Sequence, residues 1–247
     1  MLHDKFVNKY IVTGILVNNT PLHIGGGEDE FTPNAVDNSV VRYKNGEPFI
    51  PGSSLKGVLR SYIERILNSG YDERFSSCFV VNEECLSDKK VEALKKDSKN
   101  EKDFAEKIYD NMCTVCKIFG SKYFASKIHI SDAVPIEKIY TGKRDGVAID
   151  RDTLTAADGK KYDFEYVSPG SKFNFYMTID NLEEAYEDIL KLIINLLAKG
   201  EIKIGGKTSA GLGDVQLKDY KIYKITDKNL KKYLLNGPSD EMRWQNV

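Results

Sequence analysis

The sequence has 247 residues, 41% hydrophobic and 30% charged, enough for a sizeable core within one elaborated domain. Its net charge of -1 excludes a binder that holds polyanions by bulk charge, so any contact with nucleic acid has to come from a local patch. No run approaches the roughly 18 apolar residues of a membrane span, and Met1-Leu2-His3-Asp4-Lys5 lacks the apolar stretch of a signal peptide. These features predict a cytoplasmic protein without a membrane partner, its four cysteines reduced or metal-bound rather than paired as disulfides.

In chain order, Tyr10 to Val17 reads as a first strand, β-branched and aromatic. It runs into His23-Ile24-Gly25-Gly26-Gly27, where successive glycines let the backbone approach another molecule closely. Around Val40 to Tyr43 a short pattern meets the Lys44-Asn45-Gly46-Glu47 turn. Pro48 to Gly52 stays extended, after which Ser53 or Ser54 is expected to cap a helix. Leu55, Val58, Leu59, Tyr62, Ile63, Ile66 and Leu67 follow at helical spacing, and Asn68-Ser69-Gly70 stops the helix. Residues 70–120 form a polar insertion holding every cysteine and a charged stretch, Asp88 to Lys107, expected to be a solvated helix. Residues 126–134 read as a strand. Residues 139–170 are polar, with an expected turn at Asp158-Gly159, and suggest a projecting hairpin or long loop. Residues 171–179 alternate as a strand, Leu182 to Lys199 is an amphipathic helix, and Val215 to Tyr223 is a last strand preceded by the glycine loop Gly205 to Gly213.

The order of strand, helix, strand, strand, helix, strand predicts a single α+β domain over residues 1–247. Its expected core is ferredoxin-like (RRM-like), interrupted by insertions at 70–120 and 139–170. Such a fold serves many functions and identifies none.

The cysteines are spaced Cys78-x6-Cys85-x27-Cys113-x2-Cys116. Four soft ligands in one polar insertion suit a structural zinc ion, which would fold a segment too polar to make its own core. The competing reading is a pair of buried free thiols and a redox pair at Cys113 and Cys116. In the helix after Pro51, Lys56 and Arg60 stand four apart on one face. With the free N–H groups of a helix start they could hold a nucleic-acid backbone; the plainer alternative is a well-capped helix with two exposed cations. Gly205-Gly206-Lys207-Thr208 lacks the spacing of a P-loop, which argues against a nucleotide-cofactor enzyme.

Taken in order, several motifs resemble those of the RAMP superfamily. They are His23 to Gly27, Ala35-Val36-Asp37, Ile50-Pro51-Gly52-Ser53-Ser54-Leu55-Lys56-Gly57 with Leu59-Arg60, Cys116 to Gly120, Ile149 to Thr153 with Ala156, and Gly205-Gly206-Lys207 with Ser209 to Gly213. The likeness spans nearly the whole chain and is nearest to the repeated backbone subunit of type III CRISPR effector complexes. It implies partners: a guide CRISPR RNA, a target RNA, copies of the same chain and the other subunits of the effector complex. It also implies that residues 139–170 are a thumb that displaces a guide nucleotide. RNA contacts would come from Gly25, Gly26, Ser53, Ser54, Lys56, Arg60, Arg151, Thr153, Gly205, Gly206, Lys207 and Ser209. The catalytic residue for target cleavage would be Asp37, acting with magnesium or another loosely held divalent ion. His23 is expected to brace its loop rather than to act as a base. A non-catalytic scaffold of the same kind, a guide-processing ribonuclease using His23, and a zinc-binding redox protein are the competing functions.

Overall fold

A computed structural model describes residues 2–26, 38–78 and 84–244. The described elements, in order, are β1 (Asn8–Asn18), α1 (Gly52–Asn68), α2 (Asp88–Lys96), α3 (Glu101–Asp110), α4 (Thr114–Phe119), β2 (Ile128–Ile130), β3 (Thr141–Ile149), β4 (Ala156–Val167), β5 (Lys172–Asp180), α5 (Glu187–Lys199), β6 (Val215–Thr226) and α6 (Asp227–Asn236). Four strands make an antiparallel sheet in the order β2-β5-β1-β6, and β3 and β4 pair with each other as a second sheet. The fold is therefore mixed α and β with antiparallel sheets, and α1 and α5 fall where the sequence predicts the two core helices.

Period-two burial decides which face of the sheet the helices cover. Tyr10, Val12 and Leu16 of β1 are buried, and they lie opposite Ile179, Met177 and Phe173 of β5 on the same face. Leu55, Leu59, Ile63 and Leu67 of α1 and Ile189, Leu190, Ile193, Ile194 and Leu197 of α5 join that core. The opposite face carries Ile11, Tyr223 and Ile225, which pack with Met242 and with Leu230 and Tyr233 of α6. Helix α6 lies beyond the last element expected from the sequence, the strand around Tyr223. Its signal is local: Thr226 and Asn229 form a reciprocal capping box at the start of the helix.

The insertion departs from expectation. Its charged stretch is two helices, broken by an Asp97 C-cap and an Asn100 N-cap, and α2 buries none of its residues. Yet the segment does build a small core, from Leu86, Ile108, Tyr109, Met112 and Cys116. The apolar residues it needs are scattered through polar sequence, and only the helical fold gathers them. No helix among the described residues is long and apolar enough to cross a membrane.

Lys127, just before β2, ties this insertion to the main sheet. It is fully buried, and its Nζ donates to Tyr109 Oη at 2.7 Å and to the Asn181 carbonyl at 2.9 Å. Tyr109 Oη in turn donates to Glu183 Oε1 at 2.7 Å. Burial lowers the Lys127 pKa to about 8 against the opposing pull of Glu183. The unfolded chain holds this proton up to roughly pH 10.4. Between those values the unfolded state binds more protons than the folded one, so stability rises with pH across the window; below it, the cost of burying the ammonium is fully present. Urea unfolding of wild type and Lys127→Met, followed from pH 7 to 10.5, is expected to show this rise in wild type and its loss in the variant.

Candidate nucleic-acid interface and cysteine cluster

The two glycine loops, near opposite ends of the chain, meet at His23. Leaving β1, Leu22 exchanges hydrogen bonds with Val167 of β4, at 3.0 and 2.7 Å. His23 is buried, its Nδ1 2.6 Å from the Glu165 carbonyl and its ring edge-on to Phe164. Its own carbonyl accepts the Gly206 N–H at 2.8 Å. Gly205 sits at φ +85°, and a Cβ there would run into that same carbonyl, so both its backbone angle and its neighbour require glycine. Lys207 lays its ammonium over the rings of Tyr162 and Phe164, at 4.7 and 4.5 Å. Gly25, Gly26, Gly205, Gly206 and Ser209 are exposed around this node, so the fold brings them to one surface with Lys207. His23 itself has its ring packed and its Nδ1 engaged, the bracing role expected from the sequence.

The described residues on either side of 27–37 are held together. Gly25 bridges Val40, the Gly26 N–H donates to the Ser39 carbonyl at 3.2 Å, and the Val41 N–H donates to the Ile24 carbonyl at 2.8 Å. Asn38 accepts the Glu165 N–H at 2.9 Å, and the Glu165 carboxylate accepts the Val40 N–H at 3.2 Å while pairing with Arg42. Asp37 itself lies outside the described residues.

Beyond Ile50, α1 starts differently from the sequence expectation. Pro51 is the N-cap and no side chain of its own turn caps the helix. Ser53 and Ser54 belong to the first turn, and the Gly52 N–H instead donates to Asp132 Oδ1 at 2.8 Å. Sequence reasoning missed Asp132 because it stands 80 residues away; it becomes a cap only when the stretch after β2 packs on α1. That packing is tight: a Cβ on Gly52 would run into the Ile130 carbonyl, whereas one on Gly57 would meet nothing within 4 Å. Two glycines of one helix should therefore behave oppositely. Gly52→Ala is expected to cost about 1–3 kcal/mol by overpacking, and Gly57→Ala to gain up to ~1 kcal/mol by helix propensity, both measured by thermal unfolding.

Lys56 and Arg60 do not form the free pair that their spacing suggested. The Arg60 guanidinium is engaged on three sides: Nε to Glu64 Oε1 at 2.7 Å, Nη1 to the Gly120 carbonyl at 3.0 Å, and Nη2 to Cys116 Sγ at 3.4 Å. Lys56 lines the same cleft, of about 490 Å³, where burial and then the Arg60 charge lower its pKa.

The hairpin of β3 and β4 leaves the body at the Leu22–Val167 bridge, and every residue of β3 is exposed or half-exposed. Its reversal is not at Asp158-Gly159 but at 150–155. There Asp150 Oδ1 accepts the N–H groups of Asp152 and Thr153 and the Thr153 hydroxyl, and the Asp150 N–H donates to the Thr155 carbonyl. Asp158 and Gly159 fall inside β4, where the register slips between Val147 and Ile149. Asp-Gly thus marks a bulge here, a second use of the same conformational freedom. Arg151 and Thr153 are exposed at the tip, at the other end of the hairpin from the glycine loops, beside Leu154, which is 78% exposed.

All four cysteine sulfurs lie within 4.8 Å of one another. Cys78 Sγ is 3.5 Å from Cys116 Sγ and 3.7 Å from Cys113 Sγ. The edge of a tetrahedral four-thiolate zinc site is about 3.8 Å, from Zn–S bonds of about 2.3 Å. Backbone N–H groups of Cys113 and Cys116 point at Cys85 and Cys113 sulfur, at 3.3 and 3.4 Å. Hydrogen bonding from Cys116 lowers the Cys113 pKa to about 5, while burial raises that of Cys78 to about 12. The cluster fits a metal ion by both distance and donor set.

Comparison with known proteins follows the same lines. A family model described as the RAMP superfamily matches residues 16–216. A protein of Methanocaldococcus jannaschii described as "CRISPR system Cms endoribonuclease Csm3" is 27% identical over 226 residues, covering 87% of this chain and 80% of that protein. A protein of the same description from Methanothermobacter thermautotrophicus is 23% identical over 249 residues, covering 88% of this chain and 87% of that one. With the model spanning both glycine loops, the helix after Pro51 and the hairpin between them, the chain belongs to the RAMP superfamily.

Proposed function

We propose that the chain is a backbone subunit of a type III CRISPR effector complex, which binds guide RNA and cleaves complementary target RNA. The observation that carries this reading is the convergence at His23 and Glu165 of both glycine segments, the described residues on either side of Asp37 and the base of the hairpin. Its likeness to two proteins described as CRISPR endoribonucleases supports it. The four-stranded sheet is read as a ferredoxin-like core, and the β3–β4 hairpin as a thumb. Gly25, Gly26, Gly205, Gly206, Lys207 and Ser209 would receive the RNA backbone at the node, Ser53, Ser54 and Lys56 at the start of α1, and Arg151 and Thr153 at the tip. His23, buried and engaged, is ill-suited to the base of a guide-processing enzyme.

RNA carries its own nucleophile for the cut. The 2′-oxygen of a displaced nucleotide attacks the adjacent phosphorus and its proton passes to the Asp37 carboxylate. The bond to the 5′-oxygen breaks, that oxygen takes up a proton, and a 2′,3′-cyclic phosphate remains. A divalent ion such as magnesium would, when bound, offset charge developing on the phosphate. In the insertion, Cys78, Cys85, Cys113 and Cys116 would hold a structural zinc ion, leaving no open position for chemistry.

In the assembled complex with labelled target and magnesium, wild type is expected to cut at even intervals. Asp37→Ala should lower cutting by about 10²-fold or more with target binding unchanged, read on a sequencing gel. Tight binding without cutting in wild type would leave a scaffold, and no RNA binding would sink the proposal. Separately, purified wild type should carry about one zinc per chain by elemental analysis, and Cys113→Ser should lose it and unfold at lower temperature.

A further inference from the structure

We infer that Arg60 is the positioning cation of the metal centre: through its contact with Cys116 Sγ it offsets the charge of the four thiolates and sets how tightly the ion is held. The inference rests on reading the cysteine cluster as a metal site.

A divalent ion bound by four thiolates leaves a net charge of about -2. Burying such charge is costly unless it is paired and hydrogen-bonded. Among the described residues, the N–H groups of Cys78, Cys113 and Cys116 reach cysteine sulfurs, and Arg60 Nη2 lies 3.4 Å from Cys116 Sγ. The N–H groups are dipoles, and Arg60 is the donor among them that brings a full charge.

Its placement is built rather than incidental. Glu64, one turn further along α1, fixes Nε, and both side chains are largely buried, at 21% and 13% exposure. The carbonyl of Gly120, the C-cap of α4, fixes Nη1. Gly120 sits at φ +89°, and a Cβ there would crowd Ser126, so this carbonyl is itself held in place. A planar fork reaches carboxylate, carbonyl and sulfur together; a lysine ammonium cannot span all three. Neighbouring cations lack this contact. Lys56 lines the same cleft, and Lys122 is matched by Asp88 at 2.7 Å and Glu84 at 3.6 Å. The same arginine joins α1, which carries the glycine-serine motif, to α4, which carries Cys116, so the metal centre and the start of the candidate RNA surface share one rigid connection.

The test is zinc affinity of the full chain, by competition with a chromophoric chelator at fixed pH, for wild type, Arg60→Gln, Arg60→Lys and Lys56→Gln. Partners that support metal ligands typically carry 10–100-fold in affinity. A loss of about that size is expected for Arg60→Gln, a smaller one for Arg60→Lys, and none for Lys56→Gln. In cobalt-substituted protein the sulfur-to-cobalt charge-transfer band should shift for Arg60→Gln and stay in place for Lys56→Gln. Undiminished zinc affinity in Arg60→Gln overturns the inference, as does an equal loss in Lys56→Gln, which would mean a diffuse field rather than a contact. If Arg60→Gln does not fold, Arg60→Lys and Glu64→Gln carry the test, and wild-type affinity in both overturns it. A wild-type chain that takes up no zinc or cobalt removes the metal reading itself, and this inference with it.

Discussion

A buried histidine holds together parts of the chain nearly 200 residues apart. The His23 ring, pressed against Phe164, bonds the Glu165 carbonyl, and the His23 carbonyl receives the Gly206 N–H. One residue thus joins the exit of β1, the base of the β3–β4 hairpin and the second glycine loop. Each bond contributes only about 0.5–1.5 kcal/mol net, but a buried group left unpaired costs about 1–3 kcal/mol. The node is therefore close to all-or-none. Glycine at 205 follows from it, since no side chain fits against the His23 carbonyl. The placement of Asn38 and Val40 follows too, because Glu165, fixed by His23, holds both in turn.

The insertion is attached by apolar and polar contacts together: Phe75, Val115, Ile118 and Phe119 join the main core, and buried polar groups add fixed anchors. Beside that seam, Lys127, Tyr109 and Glu183 link the small core of the insertion to the main sheet, and Arg60 links α1 to Cys116. Both cations are mostly or wholly buried and both are hydrogen-bonded, Lys127 to Tyr109 and Asn181 and Arg60 to Glu64, Gly120 and Cys116, which lowers the cost of burying their charge. The cysteine cluster sits between these anchors. A metal there would add a cross-link within the insertion, joining Cys78 and Cys85 to Cys113 and Cys116 at the start of α4.

Much of this was legible in the sequence because it is local. The apolar spacing of α1 and α5, the alternation of β1, β5 and β6, and the Asn45-Gly46 turn each depend on neighbours within a few residues. The cysteine spacing pointed to one cluster, and the four sulfurs do lie together. Local signals also misled. Asp158-Gly159 carries the composition of a turn, yet the reversal goes to Asp150, whose carboxylate can satisfy three donors at once. Arg60 and Lys56 have the spacing of a phosphate clamp, yet Arg60 faces a sulfur and a carbonyl supplied by residues 116 and 120.

The sequence by itself determined the order of the core elements, the family motifs and the set of cysteines that cluster, because periodicity, glycine placement and cysteine spacing are properties of short segments. Tertiary structure alone decided that the two glycine loops share one histidine, that Asp132 rather than a serine caps α1, and that Arg60 turns toward the cysteines. Each of those outcomes rests on a partner between 56 and 183 positions away. Which donor meets which acceptor across such distances is set by how the sheet and helices pack, and no local pattern encodes it.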